Sequence, residues 1–372
     1  MAGLIQYTPT ILDGPPHNQL PGVSNFRYTA KLFSLGLAPL DRTGSITYPI
    51  RMKLIAPMPA LRPMKKSFEE ICNERALEIL ARAEKLGAPI YTFWSGGIDS
   101  TLVLISLLKN ATPEQKKNIV VMMTEESIAE YPDFYRDHVY GKLRTDSSMM
   151  FPYMLGSNAL ITSGEQNDQL FGFDSIGKLI LKFGSSILHK PYEQDTFRQL
   201  FNDAGKEPAL TELFLQNFEK IMRAAPVPIT THFEYLWWIN FSQKWQNSYL
   251  RMLTCVAPRN TPKITKEYMD MRYVSFYGTD DFQLWSMQNN DKKIKDEWRT
   301  YKWTCKDIIY DYTKDKDYRD NKTKRGSLRY VIVQQESFGF IDENFKFYRD
   351  LDASKFYVPE NDFVSLPHGV AR

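Results

Sequence analysis

Apolar residues recur at helical spacing between residues 67 and 87, where Phe68, Ile71, Cys72, Leu77, Ile79, Leu80 and Ala83 lay down one stripe. Ser67 stands three residues ahead of Glu70 in the form of a capping box, and Gly87 followed by Pro89 marks the exit, so the pattern predicts a helix. The period then changes. Ile90-Tyr91-Thr92-Phe93-Trp94 is short, β-branched and aromatic, as a buried strand should be. Thr101-Leu102-Val103-Leu104-Ile105-Ser106-Leu107-Leu108 is apolar nearly all round, which suits a helix buried against a sheet. A further strand is expected over residues 118–124, and another begins at Ala159-Leu160-Ile161-Thr162. Strands and helices alternate at the spacing of βαβ units. The expected fold is therefore α/β, a parallel sheet flanked by helices, with a helical second half and short β-containing ends.

Both ends differ from this core. Nine of the 21 prolines precede residue 67, which argues against a helical domain there. Residues 25–32 and 46–50 read as short strands, as do 328–333 and 345–348, the last pair with Asp342-Glu343-Asn344 near a turn. Around residues 175–300 the chain is rich in aromatics, including Trp237, Trp238, Trp245, Trp285 and Trp298. They read as the core of long buried helices rather than as a substrate lining. The chain thus divides into a proline-rich segment 1–66, a central domain 67–330 and a β-containing appendage 331–372.

Composition narrows the function. A formal net charge of +3 is too mild to demand nucleic acid, and the lysines and arginines between Lys292 and Arg329 are interleaved with acids. No run approaches the roughly 18 apolar residues of a membrane span, and the N-terminus lacks a cationic-then-apolar signal pattern. Cys72, Cys255 and Cys305 are isolated and odd in number, so a reducing compartment and a cytoplasmic protein are expected. Without any C-x-x-C, and with five scattered histidines, structural zinc and sulfur transfer are not expected.

The chemistry concentrates in two loops. Ser95-Gly96-Gly97-Ile98-Asp99-Ser100-Thr101 joins the first strand to the apolar helix. Glycines admit an anion close to the backbone, the first helical N–H groups point at it, and hydroxyls add donors. Asp99 would repel that anion unless a divalent cation lay between them. Ser163-Gly164-Glu165-Gln166-Asn167-Asp168-Gln169-Leu170-Phe171-Gly172 is the second strand–loop–helix junction. Asp99 and Asp168 each follow a buried strand, at the end where open parallel sheets bind ligands. Neither loop matches the Walker A or dinucleotide glycine patterns.

The first loop resembles the S-G-G-x-D-S signature of the PP-loop ATP pyrophosphatases. The second resembles S-G-E-G-x-D-E-L-F-G-G-Y of that superfamily's asparagine synthetase branch. Departures are Gln166 for the second glycine, Gln169 for the second acid, and Phe173-Asp174 for the closing G-Y. The segment 319–327 is similar to the branch's R-x-K-x-G-like stretch, where spacing to Gly326 favours Lys324, with Lys322 as the alternative. Lys302-Trp303-Thr304-Cys305-Lys306 resembles its K-x-x-L-R helix start, and Val274-Ser275-Phe276 its R-x-P-F segment.

The resemblance implies an AMP-forming carbon–nitrogen ligase that uses ATP and Mg²⁺. ATP and pyrophosphate would contact Ser95, Gly96, Gly97, Asp99, Ser100, Thr101 and Gly164, with Asp99 and Asp168 holding the metal. Glu165 would guide the amine and Lys324 would stabilise the phosphates. The substrates would be a small carboxylate and either ammonia or an amine. With Ala2 and no cysteine before Cys72, no glutaminase is expected. The nitrogen would then come from the free amine or from a separate donor protein. Two other readings stay open: adenylation of a nucleobase or nucleic-acid carbonyl, and a non-catalytic ATP-binding or assembly protein of the same fold.

Overall fold

The computed structural model describes residues 3–8, 40–48, 50–172, 175–203, 208–323, 338–349, 351, 353–356 and 358. In chain order the elements used below are β1 (Leu4–Tyr7), α1 (Phe68–Leu86), β2 (Ile90–Phe93), α2 (Ile98–Asn110), β3 (Ile119–Met123), β4 (Arg144–Ser147) and β5 (Leu160–Ser163). They continue with α3 (Asn167–Phe171), α4 (His232–Leu250), β6 (Tyr273–Ser275), α5 (Trp303–Thr313), α6 (Lys316–Asn321), β7 (Phe340–Asp342) and β8 (Phe347–Tyr348).

Contacts divide the chain into two compact units, neither continuous in sequence. One contains Pro59–Phe171 and Cys255–Ser337 and holds a five-stranded sheet in the order β4-β3-β2-β5-β6. Every pairing in that sheet is parallel, so the fold is α/β. Helices cover it because its strands are apolar on both faces: Ile119, Val120, Val121 and Met122 are all buried. Outward from β2 the chain runs to β3 and β4, then returns to add β5 and β6 on the other side. The order reverses between β2 and β5, and the crevice beyond their C-terminal ends is the topological switch point.

Local sequence accounts for the flanking helices. The capping box of α1 is present, with Ser67 N–H donating to Glu70 Oε2 at 2.7 Å and Glu70 N–H to Ser67 Oγ at 3.2 Å. Gly87 closes the helix in the left-handed region. One expected stripe member is corrected: Leu77 is 53% exposed. Ala76, one turn on from Cys72, takes the inward place, and Leu77 lies about 100° further round. Helix α2 is buried from Ser100 to Leu108, as its all-round apolar character requires. Each large aliphatic buried there contributes about 1.5–3 kcal/mol.

The other unit contains Gly172–Thr254 and the chain's two ends. Here β1, β7 and β8 form an antiparallel sheet in the order β1-β7-β8, and α4 packs against β1. On α4, Trp237, Trp238 and Trp245 are core residues, and Trp238 Nε1 donates to the Ile221 carbonyl at 2.8 Å. A C-terminal hairpin forms from β7 and β8, turning at residues 343–344; its first strand is 340–342, which the sequence reading did not assign, and its second keeps only Phe347–Tyr348 of the expected 345–348. Its turn is pinned by Asp342 Oδ1, which accepts from the N–H groups of Asn344 and Lys346 at 2.9 and 3.0 Å. Residues 46–48 form no strand, a correction to the sequence reading: the carboxylate of Asp41 accepts from the N–H groups of Ser45 and Ile46 and holds the turn at 42–45 that leads into them. The segments 25–32 and 328–333 lie outside the described residues.

Candidate active site

The 95–101 loop leaves β2 at the switch point, and its shape follows from its small residues. Gly96 has φ +73°, and a Cβ there would lie 2.5 Å from the Ser127 carbonyl, so no other residue fits. Ser95 N–H donates to Ser100 Oγ at 2.9 Å, Gly97 N–H donates to Ser95 Oγ at 3.2 Å, and the two hydroxyl oxygens are 3.0 Å apart. As N-cap of α2, Gly97 offers its first-turn N–H groups no side-chain acceptor, which leaves them for an anion. Thr101 plays another part from the one the sequence suggested. It is fully buried, and its hydroxyl accepts the Trp94 indole N–H at 3.0 Å, bracing the loop from behind.

The second loop leaves β5 and closes on the first. A Cβ on Gly164 would meet the Asp99 carbonyl carbon at 3.1 Å and Ser100 N at 3.2 Å, so the absence of a side chain permits the approach. Gln166 stands where the resembled signature has glycine, and its φ is +76°. The backbone thus keeps a glycine-like conformation while carrying a buried side chain. Asn167 begins α3 and donates from Nδ2 to Asp99 Oδ1 at 2.6 Å. Its neighbour Asp168 also faces the first loop.

A lysine joins the two carboxylates. Lys302 Nζ donates to Asp99 at 2.5 and 2.7 Å and to Asp168 Oδ1 at 2.6 Å. Its side chain is 1% exposed, against 26% for Asp99 and 32% for Asp168. Burial pushes the Asp99 carboxyl above its ordinary range, Lys302 opposes that shift, and the charge of Asp168 adds to it. Lys302 has φ +61° and caps α5, so the αL turn before the helix aims the ammonium at the crevice. Tyr277 OH supports the same point by donating to the Asp99 carbonyl at 3.0 Å.

The other candidates are placed as follows. Glu165 is buried on the second loop, and its carbonyl accepts Ser275 Oγ at 3.3 Å. Lys322 forms a buried ion pair with Glu130 at 2.7 Å, and the Glu130 side chain packs against Gly96 and Gly97. Tyr318 OH donates to the Gly96 carbonyl at 3.0 Å, so α6 clamps the loop from outside. Lys322 is thus a bracing residue of the loop, and Lys324 lies outside the described residues.

Two carboxylates sharing one ammonium leave a net charge of −1, and carboxylate oxygens are the donors Mg²⁺ takes beside phosphate oxygens. Among the described residues no group of three or more His, Cys, Asp or Glu side chains is arranged to hold a metal. Any ion here therefore depends on ligand oxygens as well. Among the described residues no helix is long and apolar enough to cross a membrane. No protein-family model matches the chain. No curated protein matches it.

Proposed function

We propose that this protein is an ATP-dependent, AMP-forming ligase that joins a small carboxylate to ammonia or an amine. The observation that carries this reading is the convergence of both loops at the switch point, where Asp99 and Asp168 meet over the open N-terminus of α2. The triphosphate would lie along residues 95–100, with N–H groups and the Ser95 and Ser100 hydroxyls as donors. Beyond the C-terminal ends of β3 and β4 is a cleft of about 660 Å³, lined by Met123, Thr124, Glu125, Asp146 and Met149 among others. Its mix of apolar and acceptor groups suits a base and a ribose.

In the first step a substrate carboxylate oxygen attacks the α-phosphorus, the bond from that phosphorus to the bridging oxygen breaks, and pyrophosphate leaves. Mg²⁺ held by Asp99 and Asp168 would supply charge neutralisation to the departing phosphates. Lys324, and Lys302 beside the two carboxylates, are the cations the reading calls upon to stabilise this charge. An amine nitrogen then attacks the acyl carbon, the bond to AMP breaks, and Glu165 accepts the proton the nitrogen sheds.

The test is oxygen transfer. Purified protein with Mg·ATP and ¹⁸O-labelled candidate acids should yield AMP carrying one ¹⁸O, because the carboxylate oxygen stays on the phosphorus. AMP without label would refute the acyl-adenylate. A second reading rests on Lys302 itself: an ammonium bridging both carboxylates also describes a binding protein whose catalytic seat has been filled. Nucleotide binding without any pyrophosphate release, in a panel that includes nucleic acids, would favour it.

A further inference from the structure

A second cleft, of about 630 Å³, opens on the same unit between the first turn of α5, α6 and the 295–300 turn. Lys306 and Trp303 line it from one helix face, three residues apart. Lys306 is 2% exposed. It donates to the carbonyls of Arg299 and Lys322, and among the described residues it makes no ion pair. An ammonium has three N–H donors, so one remains. The Trp303 indole N–H is likewise buried, with no acceptor among the described residues. Buried charges are normally paired and buried donors normally spent, so two exceptions lining one cleft need a common cause.

We propose that this cleft is an oxyanion site, taking a phosphate-type anion against Lys306 and Trp303, separate from the 95–101 loop. Arg299 and Arg319 stand at its rim with forked donors suited to several oxygens. Glu297 and Asp320 hold those arginines at 2.7 Å, so an arriving anion competes with them. Lys295 lies 4.5 Å from the centre of the Trp303 ring and adds a cation above it. Asp307, whose carboxyl burial pushes upward, is the one acid of the lining that opposes the anion from α5 itself. Burial, with Lys322 nearby, holds the Lys306 ammonium down to about 8, and a bound anion would relieve that cost. Lys322 connects the cleft to the first loop, because its carbonyl caps Lys306 while its own ammonium pairs with Glu130 beside Gly96. Lys322 thus joins the wall of the cleft to the wall of the loop.

Titration calorimetry with inorganic pyrophosphate and inorganic phosphate, without nucleotide, tests this. The wild type should bind, Lys306→Met should weaken binding at least ~10-fold as one charge-assisted hydrogen bond is lost, and Arg299→Gln should weaken it about 3-fold. Asp99→Asn, which alters the loop and spares the cleft, should leave unchanged the component of binding that Lys306→Met removes. If Lys306→Met fails to fold, the contrast between Arg299→Gln and Asp99→Asn decides. Tighter pyrophosphate than phosphate identifies the released product as the occupant, and equal affinities identify the phosphate group of a larger substrate. Binding that is lost in Asp99→Asn and kept in Lys306→Met and Arg299→Gln, or no binding at millimolar anion, overturns the proposal. Because ATP is absent, the cleft can pass this test even if adenylation fails its own.

Discussion

Lys302 sets the charge balance of the site, since a single ammonium, 1% exposed, offsets two carboxylates. Lys302→Met should destabilise the protein by about 2–4 kcal/mol, because removing one partner of a buried pair leaves like charges facing each other. If the carboxylates form a cation seat, Mg²⁺ should raise the melting temperature of this variant more than that of the wild type. Equal shifts would mean that Asp99 and Asp168 hold no metal. Gln166 offers a backbone test. At φ +76° glycine is unstrained and alanine is not, so Gln166→Gly should be more stable than Gln166→Ala by about 1 kcal/mol, the reverse of the usual order. The usual order, measured by urea denaturation, would contradict the αL assignment. Asp99, Asp168 and the glycines were legible in the sequence because each lies in a short contiguous motif. The role of Lys302 was not, since it meets Asp168 across 134 positions and its own segment reads only as a helix start.

At the scale of elements, the loop's shape is held by what surrounds it. Gly96→Ala should cost at least ~3 kcal/mol, because its Cβ would overlap the Ser127 carbonyl, which is backbone and cannot move aside cheaply. Gly141→Ala, at φ +67° with open space around it, should cost only about 1 kcal/mol. Similar losses in denaturation would mean that packing around Gly96 is looser than described. In the other unit, His232 opens α4 with a neutral imidazole: Nδ1 faces the Lys190 carbonyl at 3.1 Å, and Nε2 accepts the Glu193 N–H at 3.3 Å. Burial holds its pKa below the ordinary 6.5, so the unfolded chain takes up the proton first. Stability from this group is full above about pH 6.5 and falls as the pH drops below it. The melting temperature should decline between pH 7 and 5, and less so in His232→Gln. An equal decline in both would locate the acid sensitivity elsewhere. Helices α1 and α2 and strands β2, β3 and β5 were legible because burial imposes its period directly. Strand β1 was not, since Leu4–Tyr7 carries no alternation and owes its pairing to β7, more than 330 positions on, and to a bridge between Leu4 and Met52.

At the scale of the whole molecule, both compact units are assembled from separated stretches. The linear segments 1–66, 67–330 and 331–372 follow shifts in composition, whereas compactness follows tertiary pairing that composition does not encode. Residues 172–254, helical and aromatic, group with the chain ends, and the five-stranded unit keeps both chemical loops, α5 and α6. The site's components therefore belong to one unit and owe their convergence to the strand order around β2. On the proposed function, this convergence serves to adenylate a carboxylate. The most direct measurement is pyrophosphate and AMP release from Mg·ATP across a panel of acids and amines, with Asp99→Asn beside the wild type. The wild type should release stoichiometric pyrophosphate and AMP only when an acid is present, and Asp99→Asn at least ~100-fold less. Release that persists in Asp99→Asn, or a wild type that fails to bind ATP at all, would contradict that function.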